Sequence, residues 1–371
     1  MVDESLAERL DRRILTSGPL LVADYVEAAL YDPTHGFYAA HGRAGRRGDF
    51  LTAPEVGPLF GTVLAGALDE WWVDMGRPNP FSVVEWGAGP GTLVRAVVAA
   101  DPAVLAAGAL RWHLVESSSE QRRSHPDHPA VSSWATGTEA VVAAATAGAS
   151  TFVGVVLANE LLDNLPFDIA VRLDDGWRLL RIGHRDESGR FGLEADSMPA
   201  AGAVTAELDE LVPAAAHGVQ VPWQPRARAW LRAARAALGM GRVVVFDYGG
   251  STATLAARSG RDDGQPGWLR THRGHRGGAD WRREPGSCDI TADVAFDQLQ
   301  RHDRADLDRS QADWLRAHGI DGLVEEGRRR WEATAGIGDL AALTARSRIR
   351  EAEALLDPAG MGGFRVLEWR V

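Results

Sequence analysis

A glycine-rich segment after a short apolar run is the clearest candidate for chemistry in this 371-residue chain. Residues 85–92 read EWGAGPGT. Glycines after a strand let the backbone approach a ligand closely, and the next helix N-terminus offers free N–H groups. A dinucleotide-binding turn would carry a third glycine where Thr92 stands, and a phosphate-binding loop would need a lysine, which the chain lacks. Gly87, Gly89 and Gly91, with Glu85 before them, therefore favour S-adenosylmethionine; the alternative is a structural turn.

A second candidate is Glu116, which ends the next predicted strand along the chain. An acid at that place can accept hydrogen bonds from both ribose hydroxyls of a nucleoside. Such an acid serves NAD as well as S-adenosylmethionine, and the structural alternative is a solvated acid at a strand end. Because the glycine turn precedes it, we predict that Glu116 binds the ribose.

The third candidate lies in residues 158–166, ANELLDNLP, after another apolar run. Ligands of open parallel sheets bind beyond the carboxyl ends of the strands, so Asn159 and Glu160 should lie beside the reactive end of the cofactor. Asp163 follows Glu160 by one helical turn, so the two carboxylates would share a face and could hold a guanidinium. The alternative is a helix N-terminus whose acids interact favourably with the helix dipole.

Strands that alternate with helices must position these residues. Apolar runs predict strands over 81–86, 111–116, 131–135, 152–158, 242–248 and 364–369. Helical patterns between them, such as 92–100, predict an α/β fold in which a mostly parallel sheet has helices on both faces.

Four regions follow from this pattern. Residues 1–75 are a helical N-terminal region with a loop, 76–171 the first half of the core, 172–240 an insertion, and 241–371 the second half of the core. Within the last region, 258–288 is a loop rich in Gly, Arg and His that we expect to be too polar to pack.

Composition excludes several classes of function. The net charge of −11 argues against an extended nucleic-acid surface, although the Arg-rich stretch 258–283 keeps a nucleic-acid function as a minor alternative. A single cysteine, Cys288, excludes an intrachain disulfide, and no histidine spacing suggests a metal site. The acidic N-terminus lacks a secretory pattern, and the uncharged run 140–159 is better explained by a helix end and a strand than by a membrane span. We therefore expect a cytoplasmic protein.

The segments together resemble the MidA-like family of S-adenosylmethionine-dependent methyltransferases, which contains mitochondrial complex I assembly factors that methylate a protein arginine. The matching segments are 31–38 (YDPTHGFY), 48–61 (GDFLTAPEVGPLFG), 84–93, 158–166, 269–275 (LRTHRGH), 289–294 and 357–362 (DPAGMG). Trp86 departs from the family, where a smaller residue is more usual. The resemblance implies a class I methyltransferase fold, Rossmann-like and mostly parallel, with an antiparallel C-terminal strand.

The resemblance also implies roles for individual residues. The loop of 48–55 would fold over the cleft, with Thr52 and Glu55 at the cofactor. His275 and Asp289 would be cleft residues; their alternatives are an exposed histidine and a helix N-cap. The expected catalytic residues are Asp49, Asn159 and Glu160. The expected cofactor-binding residues are Thr52, Glu55, Glu85, Gly87, Gly89, Gly91, Thr92, Glu116 and Asn159. The expected acceptor-binding residues are Gly48, Asp163 and His275.

The expected reaction is direct displacement, in which a nitrogen or oxygen nucleophile takes the methyl group and S-adenosylhomocysteine remains. The acceptor would be a protein arginine or another nitrogen, and a small-molecule N- or O-methyltransferase is an alternative. A third alternative is a non-catalytic assembly factor that retains the cofactor fold. The sequence also leaves a homodimer open.

Overall fold

Runs of aliphatic residues that end in glycine turns form the strands of this fold, and helices cover them. The computed structural model describes residues 4–40, 52–145, 149–260, 265–273, 276–334 and 340–371. The N-terminal elements are α1 (Leu6–Ser17), β1 (Leu20–Leu21), α2 (Val22–Tyr31), α3 (Phe37–Ala40), α4 (Ala53–Val56) and α5 (Pro58–Asp74). They are followed by β2 (Phe81–Trp86), α6 (Thr92–Ala99), α7 (Ala103–Ala106), β3 (Leu110–Val115), α8 (Ser119–Arg122), β4 (Val131–Trp134), α9 (Gly137–Ala144) and β5 (Phe152–Asn159).

The second half of the chain begins with antiparallel strands and ends with the last strands of the core. Its first elements are β6 (Asp168–Leu173), β7 (Gly176–Arg185), β8 (Phe191–Ala195), α10 (Gly202–Leu211), β9 (Gln220–Trp223) and α11 (Pro225–Ala236). The remaining elements are β10 (Leu238–Asp247), β11 (Gly249–Gly250), α12 (Thr252–Ala256), β12 (Leu269–Arg273), β13 (Arg276–Gly277), β14 (Asp289–Ala292), β15 (Val294–Ala295), α13 (Phe296–Leu299), β16 (Leu307–Ser310), α14 (Gln311–Ala317), α15 (Ile320–Thr334), α16 (Leu340–Leu356) and β17 (Arg365–Arg370).

The central sheet has seven strands in the order β16-β17-β10-β5-β2-β3-β4. Strands β4, β3, β2, β5 and β10 pair in parallel, whereas β17 is antiparallel to β10 and to β16. The predicted class, a mostly parallel Rossmann-like sheet with an antiparallel C-terminal strand, is therefore confirmed. The carboxyl ends of β2, β3 and β5 lie side by side, because Trp86 pairs with both Val115 and Ala158.

A second sheet links the N-terminal region to the segment between the two halves of the core. It is antiparallel and contains β1, β7, β6, β9 and β8, and Leu20 of β1 pairs with Ile182 of β7. Helices α1 and α2 supply buried side chains such as Leu10 and Val26 to the core on this sheet. Two regions far apart in sequence thus share one hydrophobic core.

The prediction that 258–288 is too polar to pack is wrong. Trp268 and Trp281 are fully or almost fully buried, with exposed fractions of 0% and 3%, and Cys288 is buried beside them. The Trp268 indole also donates a hydrogen bond of 3.1 Å to the Gln220 carbonyl. The average polarity of the stretch conceals a few large apolar side chains, and these pack once β12 and β14 pair. No helix within the described parts of the chain has the length and apolar character needed to cross a bilayer.

Candidate active site

A cavity of about 400 Å³ opens at the carboxyl ends of β2, β3 and β5. In an open α/β sheet this is the edge where ligands bind. Its walls include most of the predicted cofactor residues together with Glu160: Thr52, Glu55, Glu85, Gly87, Gly89, Thr92, Glu116 and Asn159. The structure therefore brings these residues together, while their individual roles stay predictions.

The glycine turn after β2 adopts a conformation that favours glycine at three positions. Gly87, Gly89 and Gly91 have φ values of 68°, 54° and 77°, in the left-handed region that side chains disfavour. Gly91 is the N-cap of α6 and is not among the residues that line the cavity. It turns the chain into the helix, whereas Gly87 and Gly89 face the ligand space.

Glu116 holds this turn from the neighbouring strand. One carboxylate oxygen accepts a hydrogen bond of 3.0 Å from the Gly89 N–H, and the other accepts one of 2.8 Å from the Ser118 N–H. Burial raises the pKa of Glu116, and these N–H donors oppose the rise. On the far side of the same peptide segment, His125 Nε2 lies 2.9 Å from the Gly89 carbonyl oxygen. The turn is thus fixed at both its N–H and its carbonyl.

The floor of the cavity carries a buried acid and an indole. Glu85 is 4% exposed and accepts a hydrogen bond of 2.8 Å from the Trp112 indole. Burial raises the pKa of Glu85 to about 8. Trp86, the residue that departs from the family, lines the cavity and packs edge-on against Trp230 with ring centroids 6.2 Å apart. A Cβ added to Gly137 would lie 1.9 Å from the Trp86 ring, so a glycine at 137 makes room for this indole.

The short helix α4 joins the two ends of the cavity. The Thr92 hydroxyl donates a hydrogen bond of 2.6 Å to Glu55 Oε1, and the Ala53 N–H donates one of 3.1 Å to Glu160 Oε1. The segment that begins at Thr52 is therefore tied both to the helix after the glycine turn and to the predicted catalytic acid. Gly48, Asp49 and His275, which we predicted for catalysis or acceptor binding, lie outside the described residues.

Glu160 follows β5 in an unusual backbone conformation. Its φ of 51° is in the left-handed region, which is rare for a residue with a side chain and is concentrated at functional sites. Burial raises the pKa of its carboxyl group to about 8, and the nearby Asp163 contributes to this rise. Beside it, Asn159 Oδ1 is buried and has no hydrogen-bond partner among the described residues. An acid and an unpaired oxygen acceptor thus share one wall of the cavity.

The prediction that Glu160 and Asp163 share a helical face is wrong. A helical turn would need a negative φ at Glu160, and the 3₁₀ turn begins only at Leu162 and ends at Asn164. Asp163 is 3% exposed, accepts a hydrogen bond from the Tyr248 hydroxyl and is absent from the cavity lining. Burial raises its pKa to about 6. Asp163 therefore lies behind the wall that carries Glu160.

Sequence reasoning missed several residues that line the cavity. Tyr31, Tyr38 and Asn164 lie on its wall, and the two tyrosine rings stack on each other. Both tyrosines belong to the segment 31–38 that resembles the family, which was the only signal available. Nothing in their spacing indicates that they face a ligand. Among the residues with described positions, no three His, Cys, Asp or Glu side chains are grouped to hold a metal ion.

The cavity fits a nucleoside with a charged amino-acid tail. Its volume lies in the usual range for small-molecule sites, roughly 300–1,000 Å³. The main chain at Gly87 packs closely on its neighbour, since a Cβ added there would lie 3.0 Å from the Leu161 side chain. The unpaired Asn159 Oδ1 is an acceptor suited to a donor on the ligand, and Glu116 offers lone pairs to ribose hydroxyls.

This sheet order and this cavity define a Rossmann-like methyltransferase that uses S-adenosylmethionine. Residues 63–312 match the model of a family described as "Putative S-adenosyl-L-methionine-dependent methyltransferase", and the chain belongs to this family. The predicted family resemblance, enzyme class and cofactor are thereby confirmed.

Two curated relatives and one solved structure extend this result. The protein named "Protein arginine methyltransferase NDUFAF7 homolog, mitochondrial" of Drosophila melanogaster is 30% identical over 323 residues, covering 80% of this chain and 69% of that protein. The Danio rerio protein arginine methyltransferase NDUFAF7 is 25% identical over 320 residues, covering 81% and 72%. A crystal structure from Burkholderia thailandensis, bound to S-adenosyl-homocysteine, is 27% identical with a TM-score of 0.78 and covers 99% of this chain and 92% of that one.

Proposed function

We propose that this methyltransferase transfers a methyl group to an arginine side chain of a protein. The proposal rests on the position of Glu160 beside Asn159 on the cavity wall, at the carboxyl end of β5. A carboxylate that is taken out of water is costly unless a cation and hydrogen-bond donors accompany it. A guanidinium supplies both the charge and several N–H groups in one plane. The names of the Drosophila and Danio relatives, both protein arginine methyltransferases, support the same acceptor.

The residues of this chain would bind, orient and exclude water. When bound, S-adenosylmethionine supplies an electrophilic methyl group on a sulfonium. Glu116 and the glycine turn would hold its nucleoside, and Thr52 and Glu55 would close the cofactor side. Glu160 would hold the guanidinium by charge-assisted hydrogen bonds, with Asn159 Oδ1 as a further acceptor. This orientation would place one guanidinium nitrogen for attack, and the proton that this nitrogen loses on methylation would pass to Glu160 or to solvent. Alignment is the main contribution that such a site makes.

Labelling of cell fractions tests the proposal. The purified chain is incubated with methyl-labelled S-adenosylmethionine and fractions of a lysate, and the Glu160→Gln variant serves as the matched control. We expect label in protein that yields methylated arginine after acid hydrolysis, and a strongly reduced amount of it with the variant. Label confined to small molecules would contradict the proposal and favour a natural-product N- or O-methyltransferase. Cofactor binding without any transfer would favour a non-catalytic assembly factor.

A further inference from the structure

Two tyrosines form an aromatic face in the cavity that Glu160 also lines. Tyr31 is the last residue of α2 and Tyr38 lies in α3, and their rings stack with centroids 5.5 Å apart and planes inclined by 25°. Both rings are half-buried and line the same cavity as Glu160 and Asn164. The Tyr31 hydroxyl is bonded to Asn164, four residues after Glu160, and on this ground we assign the tyrosines to the acceptor side of the cavity.

Hydrogen bonds fix both tyrosine hydroxyls to the protein. The Tyr31 hydroxyl donates to the Asn164 carbonyl at 3.0 Å, and the Tyr38 hydroxyl donates to Asp289 Oδ1 at 3.0 Å. The Asn164 side-chain amide donates to the same Asp289 oxygen at 3.1 Å. Since Asp289 is 1% exposed, this network is internal to the protein. The ring faces, rather than the hydroxyls, are therefore what the tyrosines offer a ligand.

The turn between the tyrosines is rigid. Asp32 Oδ1 accepts hydrogen bonds from the main-chain N–H groups of Thr34 and His35 at 3.1 and 2.9 Å, and Arg9 pairs with the other carboxylate oxygen at 2.5 Å. A Cβ added to Gly36 would lie 2.5 Å from the Asp32 main-chain nitrogen, so the turn is closed tightly on itself. The aromatic face is thus set before any acceptor arrives, which lowers the entropy cost of binding one.

We propose that Tyr31 and Tyr38 form the specificity-determining wall of the acceptor subsite, which takes a flat, delocalised cation against its rings and turns the N–H edge of that cation toward Glu160. This inference rests on the proposed arginine acceptor. The negative face of an aromatic ring attracts a cation. A planar guanidinium stacks on such a ring, whereas an ammonium is a compact and strongly hydrated charge that uses less of the surface. The wall would therefore favour arginine over lysine and over a neutral amide.

Binding of simple probes to the enzyme loaded with S-adenosylhomocysteine tests this wall. The probes are N-acetyl-arginine methylamide and its lysine and citrulline counterparts, titrated by calorimetry. We expect the arginine probe to bind at least tenfold more tightly than either counterpart. Tyr31→Leu and Tyr38→Leu should each weaken the arginine probe roughly tenfold. Tyr31→Phe and Tyr38→Phe keep the ring and should change its affinity by less than about threefold, and no variant should alter S-adenosylhomocysteine affinity.

The outcomes distinguish a failure of the aromatic-wall proposal from a failure of the arginine-acceptor proposal. If the arginine probe fails to bind the wild type, the arginine acceptor is wrong and the wall falls with it. If Glu160→Gln abolishes probe binding but the leucine variants bind as tightly as the wild type, only the wall is overturned. Equal losses in the phenylalanine and leucine variants would also overturn it, because the hydroxyls would then carry the effect. If a leucine variant does not fold, phenylalanines with increasing fluorination are introduced at position 38 instead. The affinity of the arginine probe should then fall with each added fluorine, and a constant affinity would overturn the wall.

Discussion

The main-chain N–H of Ala53 donates a hydrogen bond of 3.1 Å to Glu160 Oε1 across 107 positions of the chain. This contact joins the segment that lines the cofactor side of the cavity to the acid proposed for the acceptor. The same segment reaches the helix after the glycine turn through Glu55 and Thr92. Two hydrogen bonds of one short helix, α4, therefore link Glu160 to the start of the helix that follows the glycine turn.

Glu160→Gln should separate methyl transfer from cofactor binding. Glutamine retains an oxygen that can accept from the Ala53 N–H, but it removes the charge that would pair with a guanidinium. We expect transfer to an arginine peptide to fall roughly 30-fold or more in single turnover, since truncating one partner of a close charge pair costs about 2–5 kcal/mol. Calorimetric affinity for S-adenosylhomocysteine should stay within about threefold, because the residues proposed to hold the nucleoside are Glu116 and the glycine turn.

Asp163→Asn is the matched control for Glu160→Gln. Asp163 is also buried and acidic but lies behind the cavity wall, so its amide variant should retain most of the transfer rate. If Glu160→Gln turned over as fast as the wild type, Glu160 would have no role in the mechanism.

Binding of an arginine acceptor should release a proton. Burial raises the pKa of Glu160 to about 8, so at pH 7 the carboxyl group of the free site is largely protonated. A guanidinium stays charged and favours the ionised carboxylate, so its affinity should rise as the pH increases from 6 to 8. Calorimetry of an arginine peptide in buffers of different ionisation enthalpy measures the proton release directly. Glu160→Gln should release none, and a wild-type affinity that does not vary with pH would contradict the role.

Glu85 should make the protein less stable as the pH rises. Burial raises its pKa to about 8, above the ordinary value of 4.5, so the folded state holds a proton that the unfolded chain loses first. The stabilisation is complete below pH 4.5 and is lost progressively up to about pH 8. Glu85→Gln still accepts from the Trp112 indole and cannot ionise. Between pH 5 and 8, the Tm of this variant should decrease less than the Tm of the wild type. If the two proteins lose Tm in parallel as the pH rises, Glu85 is not a source of the pH-dependent loss of stability.

Gly137→Ala should disturb the cavity wall through Trp86. The new methyl group would lie 1.9 Å from the indole ring, so the ring must move, and such overpacking costs about 1–3 kcal/mol. We expect a lower Tm and weaker binding of S-adenosylhomocysteine. Gly66→Ala is the control, because Gly66 lies within α5 and nothing would touch its new Cβ within 4 Å. That variant should be neutral or more stable by up to about 1 kcal/mol, and equal effects of the two substitutions would reject the contact.

Predictions based on local pattern succeeded. The strand over 81–86 has the predicted bounds, and the strand that ends before Glu116 pairs with it in parallel. Both follow from short apolar runs buried on two faces. Two predictions failed because contacts with distant parts of the chain determine the conformation of the segment concerned. Glu160 leaves the helical conformation and accepts from Ala53, and a stretch judged by its average polarity buries Trp268 and Trp281 in a core shared with the N-terminal helices.

The methyl donor could be predicted from single segments of the chain. Strand periodicity, glycines that must adopt a positive φ and an acid at the end of the next strand are properties of single segments, and so they can be recognised without a fold. The proposed acceptor subsite became visible only in the folded chain, because Tyr31, Asn164 and Asp289 meet across more than a hundred positions of the sequence. Contacts between residues so far apart produce no recognisable pattern in the sequence. They form only when the N-terminal helices pack against the sheet that the middle of the chain provides.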